Sequence, residues 1–201
     1  MYGKLSIPLN MTGNFETDVQ SSYEYFQKNI FGSNKRLVLF DKEVFIEARE
    51  KIDEIPSGFW HAISLEETHR FRVLPCTNDG NINLCHQNCN CGRKQVVIKY
   101  GAETRNICLL RASRLPWIVD IINLANKDDP SVVVWKKPSK DKRSDKLYLR
   151  YNHSGADFIL IFSVERYYFR LISSFPVFYL SDKEKFDKDA ASYAWSYFRT
   201  K

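Results

Sequence analysis

The spacing of apolar positions predicts a sheet between residues 131 and 179. Four runs of strand length, rich in β-branched and aromatic residues, follow one another there: SVVVWKKP, KLYLRY, DFILIFSV and RYYFRLISSF. Turn-forming or charged residues separate the runs, which favours an antiparallel meander. Because side chains alternate along a strand, each polar residue of the last run is assigned to one of its two faces.

Strict alternation in this last strand predicts Arg170 on one face, with Tyr168 and Ile172, and Ser173 on the other. An arginine and a hydroxyl group at the end of a strand could contact a phosphate. A solvated sheet edge is the alternative.

Helical spacing predicts the elements that precede the sheet. Apolar positions from Val19 to Ile30 recur at helical spacing, and Gly32 is placed to end that helix. RLVLF, residues 36–40, predicts a short strand. Asp41 is placed to cap a second helix that continues through Ile52.

Further elements are predicted on both sides of the sheet. QVVIKY, residues 95–100, is typical of a strand. The apolar positions of segment 105–126 can form a buried helical face, and Pro116 is able to start a helix within it. Ser181 and Glu184 stand in capping-box spacing for a C-terminal helix.

These elements predict an α+β fold in which an antiparallel sheet of four to five strands, in the C-terminal half, packs against helices. We expect a single domain over residues 1–201, with a helical part over 1–58, a sheet-containing core over 59–179 and a C-terminal helix over 180–201. A hydrophobic content of 44% is ample for a packed core. The apolar runs are too short to span a bilayer and the N-terminus lacks signal-peptide features, so a soluble cytoplasmic protein with no membrane partner is expected.

A cysteine-rich loop insertion interrupts the pattern between residues 76 and 91. Its four thiols could close around a structural zinc ion, with His86 or His69 in place of one of them. The candidate ligands are Cys76, Cys85, Cys89 and Cys91. Free reduced cysteines are the alternative, since the spacing lacks paired C-x-x-C knuckles, and a reactive thiol is a third possibility.

Positive charge is concentrated between residues 136 and 150. The chain has a formal net charge of +6, and this segment alone carries an excess of five. The basic residues are Lys136, Lys137, Lys140, Lys142, Arg143, Lys146 and Arg150. With Trp135, Tyr148 and Tyr151 beside them, they predict a surface for nucleic acid, on which cations replace counterions and rings stack on bases. A hairpin tip made basic for solubility and edge protection is the alternative.

Two further arginines, Arg111 and Arg114, precede the helix predicted at Pro116. Guanidinium groups and free backbone N–H donors at a helix N-terminus would form a phosphate-binding corner. Surface salt bridges to nearby acidic residues are the alternative.

A candidate acid or base is His61. Ser64 and Glu67 stand in capping-box spacing, which predicts His61 just before a short helix and His69 near its end. A histidine at that place is suited to general acid or base catalysis. A packed, hydrogen-bonded imidazole is the alternative. The chain has no Walker loop, dinucleotide fingerprint or H-E-x-x-H motif, which argues against NTPases, Rossmann enzymes and zinc proteases.

Helices followed by a basic antiparallel sheet, with a late strand of the type aromatic-x-R-L-I-S-S, resemble the barnase, EndoU, colicin and RelE group of small ribonucleases. The resemblance favours the phage-borne and mobile-element branch. It covers roughly residues 59–179 and rests on KLYLRY, DFILIFSV, YYFRLISSF and the preceding FWH. The cysteine loop and the segment 105–126 have no counterpart in the compact members.

The resemblance implies a metal-independent endoribonuclease of a toxin or phage-defence type. In such enzymes a base deprotonates the ribose 2′-hydroxyl, an acid protonates the leaving 5′-oxygen, and cations stabilise the phosphorane. It implies His61 as the acid or base, Arg150 and Arg170 as phosphate stabilisers, and Ser173 as a hydroxyl partner. RNA is then favoured over DNA, and a protein partner such as an antitoxin is expected.

The alternative function is a non-catalytic nucleic-acid- or protein-binding module of a mobile element, stabilised by zinc if the cysteines bind it. In that case the basic hairpin binds its ligand and nothing is cleaved.

Overall fold

The computed structural model describes residues 3–32, 36–66, 95–98, 103–139 and 144–195. The α-helices in these ranges are α1 (Phe15–Phe26), α2 (Ser57–Ile63), α3 (Leu109–Ser113), α4 (Leu115–Asn126) and α5 (Leu180–Ser192), and a π-helical turn, Gln27–Phe31, follows α1. The first strands are β1 (Val38–Leu39), β2 (Lys42–Phe45), β3 (Lys51–Ile52), β4 (Ile55–Pro56), β5 (Ser64–Glu66), β6 (Gln95–Ile98) and β7 (Glu103–Ile107). The last four are β8 (Val132–Lys137), β9 (Lys146–His153), β10 (Ala156–Val164) and β11 (Tyr168–Pro176). The mixed α+β class is therefore confirmed.

The chain divides into two compact units, each discontinuous in sequence. The first, which we call the sheet unit, comprises Met1–Ile7, Asn34–Ile46 and Pro116–Lys201. The second unit comprises Pro8–Ser33 and Glu47–Leu115.

The sheet unit is built on a six-stranded sheet in the order β1-β2-β11-β10-β9-β8. Strands β8 to β11 form the predicted antiparallel meander. The sheet has six strands, and not the four or five predicted, because β1 and β2 extend it beyond β11. Strand β2 pairs with β11 in parallel, and the other neighbouring strands are antiparallel.

The prediction of a helix from Asp41 to Ile52 is wrong. Phe40 and Asp41 have φ angles of +48° and +63°, and they form the two-residue turn that joins β1 to β2. Val44 of β2 then pairs with Phe169 of β11, and both side chains are buried. Pairing and burial in the sheet therefore override the helical spacing of this segment.

One face of the sheet forms the main core of this unit. Its buried side chains include Leu147, Leu149, Phe158, Leu160, Phe162 and Phe169. Trp117 of α4 packs edge-on against Phe158, with ring centroids 5.4 Å apart. At the end of α4, the Asn126 side chain accepts a hydrogen bond from Phe40 N and donates one to Val38 O. Helix α4 is thereby held on this face.

Helix α5 covers part of the opposite face. Phe186 is buried in a cluster with Trp135, Ile159 and Val177. Beyond the helix, the Lys136 backbone N–H donates to Tyr193 O at 3.2 Å, which extends the edge of β8. A helix is present in the predicted C-terminal segment, but it begins at Leu180 without the predicted side-chain cap and ends at Ser192, and Ala194 then forms a bridge with Trp135 of β8.

The second unit contains α1 with its π-helical turn, the β3–β4 hairpin, α2, α3 and an antiparallel sheet in the order β5-β7-β6. Phe59 of α2 lies at its centre, with its ring centroid 5.1 Å from Tyr23, 5.3 Å from Phe26 and 5.2 Å from Trp60. The predicted helix after Ser64 is wrong over Ser64–Glu66, because this stretch is strand β5, paired with β7. The helix of this region, α2, precedes Ser64.

Within the described ranges, no helix is both long enough and apolar enough to cross a bilayer.

Candidate nucleic-acid interface

A line of side chains crosses five strands of the main sheet on one face. Residues that pair across neighbouring strands point to the same side of a sheet, so the register identifies the members. In strand order from β8 to β2, they are Lys137, Lys146, Ser163, Arg170 and Phe45. We call this line the basic row. With strands about 4.8 Å apart, it spans ~19 Å.

A β-bulge in β11 brings Ser173 onto the face of Arg170. Ile161 pairs with Ser173, and the next residue, Phe162, pairs with Leu171, so Ile172 is an extra residue in the ladder. The predicted alternation, which separated Ser173 from Arg170, is therefore wrong at this point. Because Ile161 and Ser163 share a face, their partners Ser173 and Arg170 share it too.

Arg170 keeps hydrogen-bonding capacity that the described residues do not use. Its Nη2 lies 3.9 Å from Glu165 Oε1, and its Nε is buried with no acceptor in the described part of the chain. Glu165 also accepts a hydrogen bond from Ser163 Oγ at 2.6 Å. An unsatisfied buried donor costs about 1–3 kcal/mol, so an anion that reorients the guanidinium group would recover part of that cost.

The two lysines of the basic row differ in their surroundings. Lys146 is exposed and has no ion-pair partner among the described residues. Lys137, directly opposite, donates to Asp189 of α5 at 2.7 Å and lies over the Tyr193 ring. The hydrogen bond that Lys137 donates to Asp189 raises the pKa of Lys137. Lys146 is thus the lysine available to a ligand.

Arg150 lies on the same face but is only 4% exposed. Its Nε and Nη2 donate to both carboxylate oxygens of Asp157, at 2.8 and 2.7 Å, and its Nη1 donates to Asp187 of α5 at 2.7 Å. The hydrogen bond to Asp157 is the main cause of its raised pKa. These contacts favour a structural role, joining β9, β10 and α5, over contact with a phosphate.

The aromatic residues beside the basic hairpin belong to the protein interior. Trp135 and Tyr151 are fully buried. The Tyr148 ring stacks on Trp135 with centroids 5.0 Å apart, and burial raises the pKa of Tyr148. These contacts leave Tyr148 with a packing role.

Exposed rings lie instead on β2 and in the turn before β11. Tyr167 is 73% exposed, and Phe45 is 38% exposed. The ring of Tyr168 lies against Phe45, with centroids 5.3 Å apart and an angle of 51° between the planes. Sequence reasoning missed Phe45 because it placed this residue on a helix.

Lys136 lies on the face of β8 opposite the basic row, with its Nζ 3.5 Å from Asp145 Oδ2. The second unit contains the remaining predicted site residues that the structure describes. Arg111 and Arg114 are buried. Arg111 donates to Ser64 O, and Arg114 Nη1 donates to Leu110 O at 3.1 Å. Hydrogen bonds to backbone carbonyls inside the protein favour a structural role for both.

The predicted catalytic residues are divided between the two units. His61 lies within α2 of the second unit and is partly buried, whereas Arg150, Arg170 and Ser173 belong to the sheet unit. Within the sheet unit, Arg170 and Ser173 share a face.

Several predicted site residues lie outside the described residues: Lys140, Lys142, Arg143, Cys76, Cys85, Cys89 and Cys91, together with His69 and His86. In the part of the chain that the structure describes, no group of His, Cys, Asp and Glu is arranged to hold a metal ion. The zinc site stays a prediction.

The net positive charge of the chain belongs entirely to the sheet unit. Its residue ranges contain 19 Lys and Arg and 13 Asp and Glu, and 19 − 13 gives +6. The second unit contains 11 of each and is neutral. An excess of positive charge that is confined to one unit attracts polyanions to that unit.

Comparison of the chain with protein-family models, with curated protein sequences and with solved structures found no match.

Proposed function

We propose that the sheet unit binds nucleic acid across the basic row. The observation that carries this proposal is the location of the whole charge excess on the unit whose exposed sheet face holds Lys146 and Arg170. Neutralising phosphates with such cations releases condensed counterions, which supplies affinity. RNA is the expected form, because the sequence resembles ribonucleases.

The number of cations on this face sets the expected dependence of affinity on salt. Arg166 adjoins the row in the turn before β11 and lies over the Tyr167 ring at 5.0 Å. Three phosphate contacts, by Lys146, Arg166 and Arg170, predict that log K falls with log salt with a slope of about −2 for a single strand. A steeper slope would indicate contributions from Lys140, Lys142 and Arg143.

A salt titration of binding to fluorescently labelled RNA, followed by anisotropy, tests the proposal. The double variant Lys146→Gln/Arg170→Gln is compared with Lys127→Gln/Lys188→Gln, which removes the same charge from exposed lysines of the same unit that lie outside the basic row. We expect the first variant to lose affinity and about 1.4 of the slope, and the control to change far less. Equal losses in both, or no binding by the wild type at low salt, would refute the proposal.

A second candidate is metal-independent ribonuclease activity, favoured by the bulge that puts the Ser173 hydroxyl group on the face of Arg170. Cleavage of RNA in EDTA by the wild type, lost in Ser173→Ala while RNA binding persists, would support it. Bound zinc and the circular dichroism spectrum are measured on the same samples, so that loss of metal or fold is not mistaken for loss of catalysis. If the protein binds RNA without cleaving it, its function is that of a binding module.

A further inference from the structure

We infer that the ligand of this face is a single strand, and that one of its bases stacks on Phe45 and Tyr168. We call these two residues the ring pair. The inference rests on the proposed function, since it specifies which form of nucleic acid the basic row receives.

The ring pair continues the basic row toward the edge of the sheet. Phe45 lies beside Arg170 in the parallel register of β2 and β11, and Tyr168 precedes Arg170 by two residues on the same face. A cation that contacts a phosphate and rings that contact a base are thus on neighbouring positions. This combination is characteristic of surfaces that bind single strands.

Phe45 is a large apolar residue that is partly exposed. It pairs with Arg170 of β11, lies beyond the two β2 residues that pair with β1, and has 38% of its surface exposed. On the other side of the same strand, Val44 is buried. Beside the pair, Val38 of β1 is also exposed and faces the same side through its pairing with Glu43. An apolar patch next to cations fits the flat face of a base.

The acidic residue that pairs with Tyr168 in the register does not oppose a nucleic acid strongly. Glu43 pairs with Tyr168 in the register, but both of its carboxylate oxygens accept hydrogen bonds from Arg36, at 2.5 and 2.6 Å. The pair contributes little net charge to the face. Arg166 and Tyr167, in the adjoining turn, add a further cation and a further exposed ring.

A duplex does not fit this surface. Its base faces are stacked inside the helix and out of reach of side chains, and its grooves accept a protruding helix or ribbon instead of a flat sheet face. Unstacked bases of a single strand present their faces to aromatic side chains. The ring pair therefore selects single strands, while the basic row supplies attraction common to both forms.

The test uses a short RNA carrying 2-aminopurine, whose fluorescence is quenched on stacking, as a single strand and as the matched duplex. We expect tighter binding of the single strand, with quenching that is lost in Phe45→Leu and in Tyr168→Leu and retained in Phe45→Trp. Each leucine variant should weaken single-strand binding by about tenfold without changing its salt slope. Phe31→Leu removes an aromatic ring of similar exposure, 40%, from the second unit and serves as the control.

The outcomes separate failure of this inference from failure of the proposed function. Equal affinity for the single strand and the duplex would overturn this inference, and so would leucine variants that bind the RNA and quench 2-aminopurine like the wild type. The proposed function would still stand in that case if Lys146→Gln/Arg170→Gln loses affinity. Absence of binding to either RNA form by the wild type would overturn both.

Discussion

Replacing Arg150 with leucine tests whether this arginine stabilises the sheet unit or contacts a ligand. The substitution leaves Asp157, whose side chain is 10% exposed, without the bidentate partner that holds both of its oxygens. Removing one partner of a buried ion pair costs about 3–5 kcal/mol of stability. The contact to Asp187 adds less than ~1 kcal/mol, because Asp187 is 69% exposed and solvent screens that pair.

Urea unfolding, followed by far-ultraviolet circular dichroism, measures the loss. We expect Arg150→Leu and Asp157→Asn each to lower the unfolding free energy by about 3 kcal/mol, and Asp187→Asn to lower it by less than ~1 kcal/mol. Arg166→Leu, which removes an exposed arginine of the same unit, is the control and should change stability by less than ~0.5 kcal/mol.

Two results would refute this reasoning. One is an Arg150→Leu variant as stable as the wild type, which would show that the buried pair is not maintained in solution. The other is a stable variant that loses RNA affinity or cleavage, which would return Arg150 to the role of phosphate stabiliser that the ribonuclease resemblance implies.

Three further predictions concern single side chains. Asp189→Asn should release Lys137 to the basic row, raising RNA affinity at low salt and steepening the salt slope by about 0.7; an unchanged slope in an anisotropy titration would contradict this. Hydrogen bonds from Arg49 lower the pKa of Glu47 to about 2 from an ordinary value of 4.5, so its stabilisation is present above pH 4.5 and lost as the pH falls toward 2. Glu47→Gln should therefore destabilise the protein at pH 6 but not at pH 2, by less than ~1 kcal/mol because Arg49 is exposed, and urea midpoints at the two pH values measure the difference. Gly155 has a φ of +78° and open space around its Cβ position, so Gly155→Ala should cost about 1–2 kcal/mol from backbone strain alone, and thermal unfolding would show whether it does.

Most of the main sheet could be predicted from the sequence because its pattern is local. The four runs that became β8 to β11 are each rich in β-branched and aromatic residues and are separated by turn-forming or charged residues, as at Ser154 and Gly155, whose positive φ angles make a tight hairpin. Strand propensity and turn chemistry agree over this stretch, so no long-range information was needed. The same holds for α1, whose apolar spacing and Asn14 cap are both local.

The segment around Asp41 could not be predicted in this way. Its apolar spacing fits a helix, but β2 pairs with β1 across the Phe40–Asp41 turn and with β11, over a hundred residues later in the chain. Long-range pairing outweighs weak local preference. The pairing with β11 also places Phe45 in the basic row, so the ring pair could not be identified from the sequence.

By itself, the sequence determined which residues are charged, that the net charge is positive, and which segments prefer strand or helix. Tertiary structure alone decided which of those charges are available to a ligand. It buried Arg150 between two aspartates, paired Lys137 with Asp189, left Lys146 exposed, and used the extra residue at Ile172 to bring Ser173 to the face of Arg170. The physical reason is that charge and propensity are properties of single residues and their neighbours, whereas solvation, pairing and shared faces depend on the strand register that distant residues set.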